Sequence, residues 1–177
     1  MKYRSLLSIL FVLALAGCAE GPALRTAPAE RIALPEVKLD AETARAEINR
    51  YRATRGLGAL KINAKLTAAA QRHSNDLSAN DKISHRGSDG SNPWDRVKGA
   101  GYKARLAAEN VGVGQRSFGE VLQGWKESPG HNKNLLLGDA TQMGIALVVN
   151  PATRNQTFWT LVMGTPARTK VASKRNR

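Results

Sequence analysis

The chain carries three histidines, His73, His85 and His131, so each can be weighed for what an imidazole supplies: a metal ligand, a general base or a hydrogen-bonded core group. His85 stands in Ile83-Ser84-His85-Arg86-Gly87, and His131 in Ser128-Pro129-Gly130-His131, inside the first turn of an expected helix. The positive end of a helix dipole disfavours imidazolium there, so His131 is expected to stay neutral. A neutral ring suits a metal or a proton to be abstracted; it suits equally a local backbone bond. Glu109 lies in Ala107-Ala108-Glu109-Asn110-Val111, an acid within an apolar strand, and a buried carboxylate requires a cationic or hydrogen-bonding partner. A site assembled from His85, Glu109 and His131 meets that need. Two histidines and a carboxylate could hold a divalent metal such as zinc with one position open. His73 falls on an apolar helix stripe and reads as a bonded core histidine. Ser84, Ser88 and Ser128 are close to the histidines in sequence but read as turn and cap residues, Ser128 as a helix cap. Neither Gly-x-Ser-x-Gly nor His-Glu-x-x-His occurs.

These side chains need elements to hold them. Asp40 is a good N-cap for a helix with Ala44, Ile48 and Tyr51 on one face, stopping near Gly56. Asn63 caps a second helix whose stripe is Leu66, Ala69, Ala70, His73 and Leu77. Ser91-Asn92-Pro93 starts a short helix through Arg96 and Val97, and Leu106 to Val113 is a short strand. Ser117 and Glu120 fit a capping box ahead of a helix that buries Val121, Leu122 and Trp125. Ser128-Pro129 opens another helix, with proline where a missing amide costs nothing. The apolar runs Met143–Val149 and Thr157–Met163, joined by Asn150-Pro151-Ala152-Thr153-Arg154-Asn155, predict a β-hairpin. Helices early and strands late give an α+β fold with a mostly antiparallel sheet.

The ends suggest where the protein works. Lys2 and Arg4 precede an eleven-residue, mostly apolar stretch, Leu6 to Ala16, too short to cross about 30 Å of hydrocarbon as a helix. Leu15-Ala16-Gly17-Cys18 resembles a bacterial lipobox, which implies a signal peptide over 1–17 and lipidation of Cys18. Cys18 is the lone cysteine, so no intrachain disulfide is available and the domain rests on its core. Ala19 and Glu20 do not resemble a strong inner-membrane retention signal, which points to the outer membrane if the cell is Gram-negative. Residues 18–38 contain Pro22, Pro28 and Pro35 and read as a tether. Without Lys2 and Arg4 the chain retains 25 basic and 14 acidic residues, a net +11. Arg168, Lys170, Lys174, Arg175 and Arg177 crowd a tail over 167–177, drawn to an anionic surface or simply solvated. An export signal and the absence of a recognisable binding motif weigh against nucleic acid.

One resemblance ties these pieces together. The run His85, Glu109-Asn110, Trp125, Ser128-Pro129-Gly130-His131 and Gly144 is similar to the bacterial branch of the CAP superfamily (cysteine-rich secretory, antigen 5, pathogenesis-related; SCP-like). Asp89-Gly90-Ser91, Pro93, Asp95-Arg96, Gly101-Tyr102 and Thr157-Phe158-Trp159-Thr160 extend the likeness. The resemblance implies a three-layer α-β-α sandwich over 39–166 and a cleft lined by two histidines and two acids. His85 and His131 would be the histidines and Glu109 the first acid. The second is unmatched: Ser128 stands where an acid is common, and Glu127 lies one residue earlier. Three functions follow as expectations: an envelope binding module for a lipid or cell-wall component, a hydrolase acting on peptide or wall material, or an adhesion or scaffold protein with a vestigial cleft.

Overall fold

The computed structural model describes residues 36–168. The signal segment, Cys18, most of the tether, and Lys170, Lys174, Arg175 and Arg177 lie outside the described residues.

Side-chain caps start the helices where the sequence asks for them. Asp40 accepts the amides of Glu42 (2.9 Å) and Thr43 (3.1 Å) to open α1, Ala41–Ala53. Asn63 does the same for α2, Ala64–Ala79, through Lys65 and Leu66. Asn92 and Asp95 form a full capping box on α3, Pro93–Gly99. Only half of the expected box forms on α4, Phe118–Glu127. Ser117 Oγ accepts Glu120 N at 3.2 Å, but the Glu120 carboxylate turns to Arg116 N at 2.8 Å. Ser128 occupies the N-cap position of α5, Pro129–Leu135, without a side-chain cap bond. This corrects the reading of its hydroxyl as a cap.

Four strands make one sheet in the order β1-β3-β4-β2. β3 (Gln142–Val149) and β4 (Thr157–Pro166) are the expected hairpin, running Val149 against Thr157 to Gln142 against Gly164. β2 (Ala104–Val113) pairs antiparallel with β4 and forms one edge, with Glu109 opposite Val162 and Asn110 opposite Leu161. The two-residue β1 (Lys61–Ile62) adds a parallel pairing on β3 that the sequence did not announce.

The strand period of two divides the hydrophobic load between two faces. Met143, Ile145, Trp159, Leu161 and Met163 pack with residues of α1, α4 and α5. Ala146 and Val162 pack with Leu66, Ala69 and Ala70 of α2 and Val97 of α3. The result is three layers, helices on both faces of the sheet. Gly144 sets the spacing on the α2 side: a Cβ there would lie 2.0 Å from Thr67 N and 2.2 Å from the Leu66 carbonyl carbon. Only glycine lets this helix lie so close to the strand.

The outer edge of β2 is covered by side chains. Trp125 Nε1 donates to Val111 O (2.8 Å) and Asn134 Nδ2 to Glu109 O (3.0 Å), so α4 and α5 are fastened along that edge.

Candidate functional site

β2 places consecutive side chains on opposite faces of the sheet, and the site is built across this edge strand. Glu109 points toward α2 and α3. Its carboxylate is 1% exposed and receives Arg96 Nη2 at 3.0 and 2.8 Å and His85 Nδ1 at 3.0 Å. Arg96 is the cationic partner the sequence demanded for Glu109. Its own signal was available: four residues after the Asn92 cap, it falls on the inner face of a short helix beside Val97.

Arg96 and His73 also fix the backbone on either side of the His85 ring. Arg96 Nη2 donates to His85 O (2.9 Å), and His73 Nε2 donates to Ser84 O (2.8 Å). His73 is fully buried, with Glu109 Oε1 at 3.6 Å from Nε2. Burial lowers its pKa, partly opposed by Glu109 and reinforced by Arg96, so it is a neutral core group. Its Nδ1 is buried without a hydrogen-bond partner among the described residues.

Asn110 points the other way, toward α5. It is fully buried and donates to His131 O (3.0 Å) while accepting from Asn134 Nδ2 (2.9 Å). His131 is thereby brought beside His85, with ring centroids 6.3 Å apart and planes tilted by 49°. The His131 pKa is lowered, as the sequence led one to expect, but the causes are burial first and the neighbouring His85 second. The seven-residue α5 is not needed to explain it.

The site therefore consists of two imidazoles presented on two different backbone segments. A carboxylate accepts only, so the His85 Nδ1–Glu109 bond puts a proton on Nδ1, and in the neutral imidazole Nε2 then carries the lone pair. Half of the His85 side chain, 52%, is exposed. Glu109 is engaged behind His85 by Arg96, and among the described residues no three of His, Cys, Asp and Glu gather as a ligand set. Glu127 is exposed and accepts from Gln123 (2.7 Å) on the surface of α4, without a bond to His85, Glu109 or His131. Trp125 is a core residue that anchors β2. Ser84 Oγ accepts Arg86 N (2.9 Å), Ser88 Oγ donates to the Asp76 carboxylate, and neither bonds a histidine.

Known proteins share both sequence and fold with this chain. The protein YkwD of Bacillus subtilis (strain 168) is 31% identical over 110 residues, 62% of this chain and 43% of that protein. This chain thus spans under half the length of that relative. An extracellular protein containing an SCP domain, from Bacillus anthracis str. Ames, superposes with a TM-score of 0.62 at 26% identity, over 70% of this chain and 39% of that one. An outer surface protein from Borrelia burgdorferi shares the fold, with a TM-score of 0.65 at 23% identity over 73% of this chain and 98% of its own. A model of the cysteine-rich secretory protein family, CAP, matches residues 45–163, a span that holds His85, Glu109, His131 and all four strands but the end of β4. The chain belongs to the CAP family.

Proposed function

We propose that this is an exported, lipid-anchored envelope protein whose CAP domain binds a lipid or cell-wall component through the cleft of His85, Glu109 and His131. Support for export comes from the signal-like start and from relatives described as extracellular or outer-surface proteins. Cys18 would carry the anchor, and the bases from Arg168 to Arg177 would draw the protein to anionic surfaces.

The observation that carries binding is the preparation of the two rings. Buried polar groups fix the ring of His85 through Glu109 and its backbone through Arg96 and His73, and Asn110 fixes the backbone of His131; among the described residues neither His85 Nε2 nor the His131 ring has a hydrogen-bond partner. His85 Nε2 and a neutral His131 offer two lone pairs to one divalent ion or to a ligand hydroxyl. Glu109 then stands as the orienting carboxylate behind a ligating histidine, an arrangement that raises ligand basicity. A zinc ion held by the two rings would supply a Lewis-acid site with positions open to a ligand oxygen.

A hydrolase reading is favoured by one distance, the 3.0 Å between His85 Nδ1 and Glu109, which is how an acid orients a general base toward water. Native mass spectrometry of the exported chain, purified without chelator, tests both readings. A divalent metal or lipid mass is expected on the wild type and not on His85→Ala or His131→Ala. Three identical, empty spectra would defeat the binding reading. Release of product from wall fragments by the wild type but not by His85→Ala would select the hydrolase.

A further inference from the structure

At the far end of β2, five residues from Glu109 and so about 17 Å along the strand, lies a second feature. An apolar groove of about 440 Å³ runs between Trp94 and Val97 of α3, Tyr102 and Ala104. Beside it a pocket of about 660 Å³ is lined by Asn63, Lys65, Lys103, Gln142 and Arg168. The two share Gly101, Tyr102 and Lys103, so they form one continuous surface, and among the described residues no Asp or Glu lines either.

The polar groups of this surface are donors. Lys65 Nζ is held by Gly101 O at 3.0 Å, which parks an ammonium at the junction with two of its three donors left. Gln142 Oε1 already accepts from Tyr102 OH (2.8 Å) and Asn63 Nδ2 (3.1 Å), leaving its amide nitrogen to donate. The first turn of α2 contains no acid to offset Lys65. Trp94 is 45% exposed, whereas Trp125 and Trp159 are buried. A solvent-facing tryptophan beside lysine stems is the composition of a group that sits at a membrane–water boundary, ring in the acyl margin and ammonium at the phosphates.

We propose that the face formed by α3, the Gly101–Ala104 segment and the start of α2 docks on an anionic phospholipid surface, separately from the His85–His131 cleft. Trp94 enters the boundary between headgroups and acyl chains. Lys65, Lys103 and Arg168 bind lipid phosphates, and Lys98 at the groove rim adds to the attraction. A phospholipid layer offers the phosphates and the apolar margin together, as the paired pocket and groove require; a soluble polyanion offers only the first.

The test uses the full chain with Cys18→Ser, so that no acyl chain tethers it, titrated with vesicles of phosphatidylglycerol and phosphatidylcholine or of phosphatidylcholine alone. Trp94 reports its own environment through emission wavelength and acrylamide quenching, because the other two tryptophans are already buried. Anionic vesicles should shift the emission to the blue and protect it from quenching, and Trp94→Phe should remove that change. Lys65→Gln with Lys103→Gln should weaken vesicle binding about 30-fold while leaving the melting curve in place. The N-terminal segment is common to all variants, so differences among them report this face. Binding to anionic vesicles with Trp94 still fully quenched would overturn the proposal, as would unchanged affinity in the double variant. So would soluble polyphosphate producing the same emission shift, since a polyanion would then be the ligand.

Discussion

Arg52 and Arg96 are both buried, yet only one of them faces a carboxylate. Arg52, at 0% exposure, donates to four carbonyls: Gly58 (2.9 Å), Leu135 (2.8 Å), Leu137 (3.0 Å) and Ala140 (3.3 Å). It thereby stitches α1 to the end of α5 and the loop beyond. Arg96, at 3%, gives Nη2 to Glu109 and His85 O and Nη1 to Ser91 O (3.0 Å). Both guanidiniums secure a segment that carries one of the paired histidines. The carbonyl-held cation fixes backbone and nothing more, and its burial without a counter-charge lowers its pKa. The carboxylate-paired cation also stations a negative group against His85, which fixes the ring's tautomer. One knot serves the scaffold alone; the other serves the scaffold and the site.

The largest effect expected from this contrast is at Arg96. Arg96→Met strands the Glu109 carboxylate in the core and should cost about 3–5 kcal/mol in chemical denaturation. Adding Glu109→Gln should recover a good part of that loss, because the stranded charge is gone. No recovery would mean that the pair's charge is not what holds the region.

Arg52→Met should cost somewhat less, about 2–3 kcal/mol, by orphaning buried carbonyls. Here Glu109→Gln should give no relief: the two losses should add to within about 0.5 kcal/mol, as for independent sites. Denaturation of the two singles and the double measures this directly, and strong coupling would erase the distinction between the two knots.

The smallest effect is in pH. Burial lowers the pKa of His131 below 6.5, so below that pH the unfolded chain takes up the proton more readily than the folded one. Stability should therefore be full above the unfolded value and decline as pH falls from 6.5 through the folded pKa. His73 has the same sign and contributes to the same slope. Melting temperatures between about pH 7 and about pH 5 should show a shallower decline in His131→Asn than in the wild type. An identical slope would mean that the His131 ring titrates as it does in water.

Much of the scaffold could be read from the residues because local rules governed it. Asp40, Asn63 and Asn92 each cap a helix, and the stripe from Leu66 to Leu77 lies inside, His73 included. The hairpin is where its two apolar runs and turn residues put it, with β3 beginning at Gln142 rather than Met143 and β4 running on to Pro166 rather than ending at Met163. β1 was hidden because two residues cannot display an alternation. Arg52 continues the spacing of Ala44 and Ile48 by another four residues, so the stripe itself marked it as inward-facing. Tyr51, expected inside, is half-buried and donates its hydroxyl to Asn132 (2.8 Å). The closeness of His85 and His131 could not be had from spacing, since 46 residues separate them. It depends on Glu109 and Asn110, adjacent in sequence and opposite in direction, each reaching a different layer.

The covering of β2 has a consequence for how copies of this protein meet. An edge strand of ten residues is a template on which another chain can add its own strand and begin an aggregate. Here Trp125 and Asn134 occupy the carbonyls of Val111 and Glu109, and the helices that bear them stand in the way of an incoming strand. The residues that brace the strand bearing Glu109 and Asn110 thus also keep the sheet at four strands among the described residues. Damage to this bracing would have two outcomes at once, a loosened His85–His131 pair and a sheet open to growth.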